Sequence, residues 1–82
     1  MTVKKILAQR QKTHGKFATH AEISQQLKAV MREHGLHELE NDQIEALEMV
    51  AHKIARVLNG NPNHRDHWDD IAGYATLVAE EL

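Results

Sequence analysis

Apolar residues recur every three or four positions along four stretches of the chain, and each stretch predicts an amphipathic helix. The clearest pattern lies between Gln43 and Asn59, where one face carries Ile44, Leu47, Ala51, Ile54 and Leu58. We expect this face to be buried, with the other helices packed around it. The neighbouring flank is polar and carries Glu45, Glu48, His52 and Arg56.

The first helix is predicted to be short and to begin after Thr2, whose hydroxyl can cap it. Its apolar residues are Val3, Ile6 and Leu7, and the pattern ends near Lys12. Residues 13–18 are then predicted to connect the first two helices, because Gly15 can adopt a positive φ. We expect Phe17 to anchor this connection in the core.

The second helix is predicted to begin at Thr19, which forms a capping-box pattern with Glu22. Gly35 is a suitable C-terminal stop. The inner face of this helix is predicted to carry Ile23, Leu27, Val30 and Met31. We expect the next connection to fold over the core through Leu36 and Leu39, and Asn41 or Asp42 to cap the central helix, with Glu45 completing a box after Asp42.

The strongest break in the chain is Asn59-Gly60-Asn61-Pro62-Asn63, because Gly60 can end one helix and Pro62 can begin the next. So short a turn predicts antiparallel neighbours. The last helix is expected to start at Pro62 or His64 and to bury Trp68, Ile71, Ala75, Val78 and Leu82. The predicted fold is therefore all-α, a compact four-helix arrangement in one domain over residues 1–82: one short helix, then three longer ones, the last two forming a hairpin.

Composition narrows the function classes. The 82 residues are 41% hydrophobic but 4% aromatic, and a core of this size predicts association into a homo-oligomer, a dimer or tetramer. A net charge of −2 argues against a nucleic-acid binder, which needs clustered Lys and Arg. Zero cysteines exclude disulfides and thiolate zinc sites. No segment resembles a membrane span or a signal peptide, so we expect a cytoplasmic protein without membrane partners.

Acidic residues on the last two helices suggest a site for a hard cation, because Mg²⁺ prefers carboxylate oxygens and water. The candidate ligands are Glu45, Glu48, Asp66, Asp69 and Asp70. Nearby cations suited to phosphate groups are Lys53, Arg56 and Lys16, and Gly73 is expected to permit close approach of helices or ligand. The competing interpretation is that Arg56 pairs with Asp66, and His52 with Asp69, as interhelical ion pairs of little energetic value.

Seven histidines raise a further alternative, a zinc site at His64 and His67 beside Asp66. Without cysteines such a site needs three ligands from His and Asp, and His67 lies near the apolar side of the last helix. The histidines expected at helix ends or in loops are predicted to be solvated or to interact with the dipole at a helix C-terminus. They are His14, His20, His34 and His37.

Two segments carry a resemblance to a known family, Lys53-Ile54-Ala55-Arg56 and the run from Asp66 to Tyr74. Together with Arg10 and His14-Gly15-x-Phe17, they resemble a family of small phage- and prophage-encoded domains of unsettled biochemical role. An acidic residue often follows Gly15 in that family, so Lys16 is a departure from its pattern.

A more distant similarity is to the MazG-type all-α nucleoside triphosphate pyrophosphohydrolases, whose Mg²⁺ ligands come from E-x-x-E and E-x-x-D motifs. Glu45 to Glu48 fits the first motif, and Asp66 to Asp69 fits the second with Asp in place of Glu. The resemblance implies Mg²⁺-dependent attack by water between the α- and β-phosphates of a nucleotide. It implies that Glu45, Glu48, Asp66 and Asp69 bind the metal, that one of these carboxylates orients the water, and that Lys53 or Arg56 neutralises phosphate charge.

The sequence thus supports two functions of different classes. The first is a Mg²⁺-dependent pyrophosphohydrolase-like protein with Glu45, Glu48 and Asp69 as catalytic residues. The second is a non-catalytic phage protein that binds and modulates a host enzyme or defence complex in the host cytoplasm, because the small chain shows no complete catalytic constellation.

Overall fold

The structure, a computed structural model, describes residues 2–82 and is built from helices packed around one central helix. Its elements are α1 (Val3–His14), α2 (Phe17–Glu33), a 3₁₀ turn (Leu36–Glu38), α3 (Asn41–Asn59) and α4 (Arg65–Ala79). The main packing partners of α3 are α4 and α2, and α1 contacts both α3 and α2. The predicted all-α class is confirmed. Within residues 2–82, every helix is too short or too polar to cross a membrane.

The junction of α1 and α2 is tighter than the sequence predicted. Thr2 caps α1 as expected, its Oγ1 accepting from the Lys5 N–H at 3.2 Å, but α1 continues to His14. Gly15 has a φ of 76° and reverses the chain at once, so α2 already begins at Phe17. The predicted connection over residues 13–18 and the capping box at Thr19 are therefore wrong, and Phe17 is 79% exposed instead of anchored in the core.

The connection from α2 to α3 largely follows the prediction. Gly35 adopts a φ of 99° just after α2, and Leu36 is buried with 3% of its surface exposed. Leu39 remains partly exposed, so only one of the two leucines enters the core. The cap of α3 is Glu40, one residue earlier than expected, and its N–H donates to Gln43 Oε1 at 3.0 Å.

Small side chains are buried on both α2 and α3. Ala51 and Ala55 on α3 are buried, as is Ser24 on α2, and such residues let two helices approach closely. The expected apolar face of α3 is only partly covered, because Leu47 is 42% and Leu58 is 68% exposed. The prediction that this whole face is buried is therefore wrong for the single chain.

The buried face of α4 is rotated by about one residue from the predicted face. His67 is buried, and Ile71, Tyr74 and Val78 follow it at three-four spacing with half-buried side chains. The helix begins at Arg65, because residues 60–64 form the turn. Trp68 and Ala75 of the predicted face are consequently exposed, and Leu82 is exposed because α4 ends at Ala79. Trp68 instead covers the turn, its Nε1–H donating to the Pro62 carbonyl at 2.8 Å.

The corner between α1 and α2 is hydrogen-bonded to the end of α3, to the turn after it and to the start of α4. Asn59 Nδ2–H₂ donates to the carbonyl oxygens of His14 at 3.2 Å and Lys16 at 2.8 Å. The Thr13 carbonyl accepts from the Asn61 N–H at 2.9 Å and from His67 Nε2–H at 3.2 Å. These four hydrogen bonds fix where the end of α1 lies on α3.

Candidate functional site

A cavity of about 320 Å³ opens between α1, the start of α2 and the C-terminal half of α3. Its apolar wall includes Leu7 and Phe17. The ionisable residues lining it are Arg10, His14, His20, His52 and Arg56. All five are basic, and no acidic side chain contributes to the lining. Lining of this composition suits an anion with an attached apolar group.

Two arginines give the cavity permanent positive charge: Arg56 from α3 and Arg10 from α1. The pKa of Arg56 is lowered by burial and then by the positive charge of Arg10, although a guanidinium stays protonated in proteins. Two guanidinium groups that repel each other are stabilised when an anion lies between them. The planar forks also match phosphate oxygens.

His20 and His52 form a hydrogen-bonded pair across the α2–α3 interface, with 3.1 Å between His20 Nε2 and His52 Nδ1. His20 is 5% exposed, and its Nδ1 is buried without a partner among residues 2–82. Because a buried N–H without an acceptor is rarer than an acceptor without a donor, we assign the His20 proton to Nε2, which donates to His52. His52 then carries its own proton on Nε2, as a donor for the cavity.

The histidines of the cavity are neutral at physiological pH. Burial, followed by Arg56, lowers the pKa of His52 from 6.5 to about 4. The same two causes lower the pKa of His14 to about 4, and burial lowers the pKa of His20. The empty cavity therefore holds two full positive charges and neutral imidazoles that can donate hydrogen bonds.

We expect acidification to destabilise the protein between pH 6.5 and about 4. The folded-state pKa values of His14 and His52 lie below the unfolded value of 6.5, so the unfolded chain binds more protons in this range. The free energy of unfolding should be largest above pH 6.5 and should fall as the pH drops. Urea unfolding at about pH 7.5 and about pH 5 measures this loss.

The control for this pH dependence is His52→Gln, which should reduce the loss because one of the contributing imidazoles is gone. His34→Gln, at the exposed end of α2, should leave the loss unchanged. A wild-type free energy of unfolding that does not change between the two pH values contradicts the proposed burial of neutral imidazoles.

The acidic residues of α4 have partners other than those predicted. Asp70 pairs with the buried Lys53 at 2.8 Å, which lowers the pKa of Asp70. Asp69 pairs with Arg65 at 3.2 Å, and Asp66 lies 3.7 Å from His64. The expected pairs Arg56 with Asp66, and His52 with Asp69, do not form. The long turn starts α4 at Arg65, which sets Asp70 level with Lys53.

The predicted acid ligands do not converge within one chain. Among residues 2–82, no three or more His, Asp or Glu side chains are placed to hold a metal ion. Glu45 and Glu48 share the flank of α3 that carries His52 and Arg56, whereas Asp66, Asp69 and Asp70 lie on α4. The zinc alternative is not supported either, although the rings of His14 and His64 pack at an angle against His67, with ring centroids 5.0 and 4.8 Å away.

The cations predicted to contact phosphate do not come together at one site, and Gly73 does not lie at a close contact between helices. Arg56 lines the cavity, Lys53 is buried against Asp70, and Lys16 caps α2 with an exposed side chain outside the lining. A Cβ on Gly73 would meet no atom within 4 Å, so the expected close approach of two helices at Gly73 is wrong. The alternative, that Gly73 admits a ligand, stays a prediction.

Sequence reasoning missed two histidines of the cavity. His14 was expected to be solvated, but it ends α1 and lines the cavity with a half-buried side chain. His20 was expected to be solvated at a helix end, but it is buried in the first turn of α2. The available signal was its spacing of four from Ser24 and seven from Leu27, which places the three on one helix face.

Comparison with known proteins identifies the family. A family model described as domain of unknown function (DUF6378) matches residues 2–82, so the chain belongs to this family. The search of curated proteins found no match. The search of solved structures found none either.

Proposed function

We propose that this member of the DUF6378 family binds a nucleoside phosphate and hydrolyses it with Mg²⁺, in the manner of a pyrophosphohydrolase. The observation that carries the proposal is the cavity whose ionisable lining is entirely basic, with Arg10 and Arg56 from two different helices. Phosphate groups are the common biological anions that such paired guanidinium groups bind.

The two ends of a nucleotide find different surroundings in the cavity. Its phosphates bind Arg10, Arg56 and the Nε2–H of His52. Its base packs on the exposed ring of Phe17 and on Leu7, which form the apolar wall. Aromatic side chains provide stacking surfaces for nucleobases.

The carboxylates of α3 suit Mg²⁺ that arrives with the nucleotide. Mg²⁺ is usually held by one or two carboxylates together with substrate phosphates and water, and Glu45 and Glu48 offer two carboxylates. Glu48 is four residues from His52, a rise of about 6 Å along the helix. Bound Mg²⁺ would neutralise phosphate charge, and one of the two glutamates would orient the attacking water. Asp66, Asp69 and Asp70 can join this set only from a second subunit.

We expect the unfolding temperature to rise when a nucleoside triphosphate and Mg²⁺ are added together, because a ligand that binds only the folded state stabilises it.

Glu48→Gln should abolish release of pyrophosphate while leaving the helical content unchanged. Glu33→Gln, at the exposed end of α2, is the matched control and should retain turnover. Full turnover in Glu48→Gln contradicts the assigned catalytic role.

The second candidate is the non-catalytic phage protein that binds a host enzyme or defence complex. It is favoured by the outer surface of α4, where the exposed Leu77 lies beside Asp69, Asp70 and Glu80. A partner with basic and apolar side chains suits this surface. Absence of any nucleotide-induced shift in unfolding temperature favours this candidate over the enzyme.

A further inference from the structure

The core of the single chain is unusually small for a folded domain. Its buried hydrophobic residues are Leu36 and the alanines 46, 51 and 55. Larger apolar side chains that a core normally contains remain exposed, among them Leu47 and Leu58 on the apolar face of α3. The helix with the clearest amphipathic pattern therefore lacks a partner along part of that face.

The exposed part of α3 borders an apolar groove of about 310 Å³, formed by α3, α4 and the segment after the 3₁₀ turn. The groove is lined by Leu39, Gln43, Ala46, Leu47, Val50, Ala75 and Val78. At about 100° per residue, Leu47 and Val50 lie on the opposite side of α3 from His52 and Arg56. A partner in this groove would leave the basic cavity open.

The surface area of the chain indicates how much a partner must cover. The chain exposes 6086 Å², whereas a folded monomer of 9.3 kDa is expected to expose about 5,000 Å². The excess of about 1,100 Å² is close to the area of roughly 1,000 Å² that each partner buries in the smaller obligate dimers.

We propose that a second copy of this chain packs into the groove and forms a two-fold symmetric dimer through Leu47 and Val50. Every folded chain exposes this excess area, so the partner that covers it must be present whenever the chain is folded. A second copy of the chain is always present. The groove contains one polar residue, Gln43, and no charged residue. Two identical grooves can therefore meet without bringing like charges together.

Sedimentation equilibrium of the full chain tests this proposal. The wild type should have twice the chain mass of 9.3 kDa. Leu47→Asp should raise the dissociation constant of the dimer at least tenfold, because a carboxylate enters the interface. Leu77→Asp, on the outer surface of α4, is the matched control and should remain dimeric. A monomeric wild type, or a dimer that Leu47→Asp does not weaken, overturns the proposal.

A second measurement covers the case in which Leu47→Asp fails to fold. The chain has no cysteine, so Leu47→Cys and Leu82→Cys each introduce a single thiol for maleimide labelling. In a dimer, the thiol at position 47 should react at least tenfold more slowly than the thiol at position 82. Equal rates, or a wild-type unfolding temperature independent of protein concentration, count against the dimer.

Discussion

Replacing Arg56 with alanine should weaken nucleoside triphosphate binding by about 10- to 100-fold. A hydrogen bond to a charged group contributes about 1.5–3 kcal/mol, and about 1.4 kcal/mol corresponds to a tenfold change in affinity. Arg56 is half-buried between His52 and Arg10 in the cavity, so water compensates its loss poorly. Removing a repelled positive charge should at the same time leave the unfolding temperature unchanged or raise it. Calorimetric titration of the variant and the wild type measures the affinity.

The matched control is Arg65→Ala, which removes an arginine of the same chemistry from the exposed start of α4. Arg65 pairs with Asp69 outside the cavity, and an exposed pair of this kind contributes little to stability. Its nucleotide affinity should stay within about twofold of the wild type. Equal weakening by both substitutions would indicate non-specific attraction by net charge instead of a site.

Gly60→Ala should destabilise the fold and also disrupt the cavity. An added Cβ would lie 2.2 Å from the Thr13 carbonyl oxygen and 2.7 Å from the Cα of His14. Because both contacts are to backbone atoms, the end of α1 must move, and overpacking of this kind costs about 1–3 kcal/mol. Thermal unfolding should report a decrease of about 4–20 °C. Nucleotide binding should weaken as well, since α1 carries Arg10 and His14.

Gly73→Ala is the control for this prediction. The new methyl group meets no atom within 4 Å in the middle of α4, and alanine is favoured over glycine in a helix by about 1 kcal/mol. We therefore expect a higher unfolding temperature and unchanged nucleotide binding. A Gly60→Ala variant as stable as the wild type would contradict the tight docking of α1 described above.

The sequence predicted the helices better than their contacts. The break at Gly60 and the stop at Gly35 depend on local backbone preferences, which are visible in the residues themselves, and both are where they were expected. The start of α2 was missed because the Thr19 pattern is a valid cap in isolation. The four hydrogen bonds from the α3–α4 hairpin to the α1–α2 corner bring residues more than forty positions apart together, and no local pattern encodes such contacts.

The candidate site was predicted only in part. Arg56 was selected for phosphate contact, and it lines the cavity. The interhelical pairs of Arg56 with Asp66 and of His52 with Asp69 depend on where α4 begins. Because α4 begins only at Arg65, Asp70 faces Lys53 instead. The remaining acids were grouped by helix face alone. A helix face gives direction but not distance, and among residues 2–82 no three or more acidic or histidine side chains are placed to hold a metal ion.

The most direct test of the proposed nucleotide site is imidazole NMR of the histidines during titration with a nucleoside triphosphate. Resonances of His14, His20 and His52 should shift together and saturate, because these rings line the cavity. His34 and His37 lie away from the cavity and should not respond. Saturable shifts confined to the first three histidines support the account, whereas no shift at them, or shifts at His34 and His37 alone, contradict it.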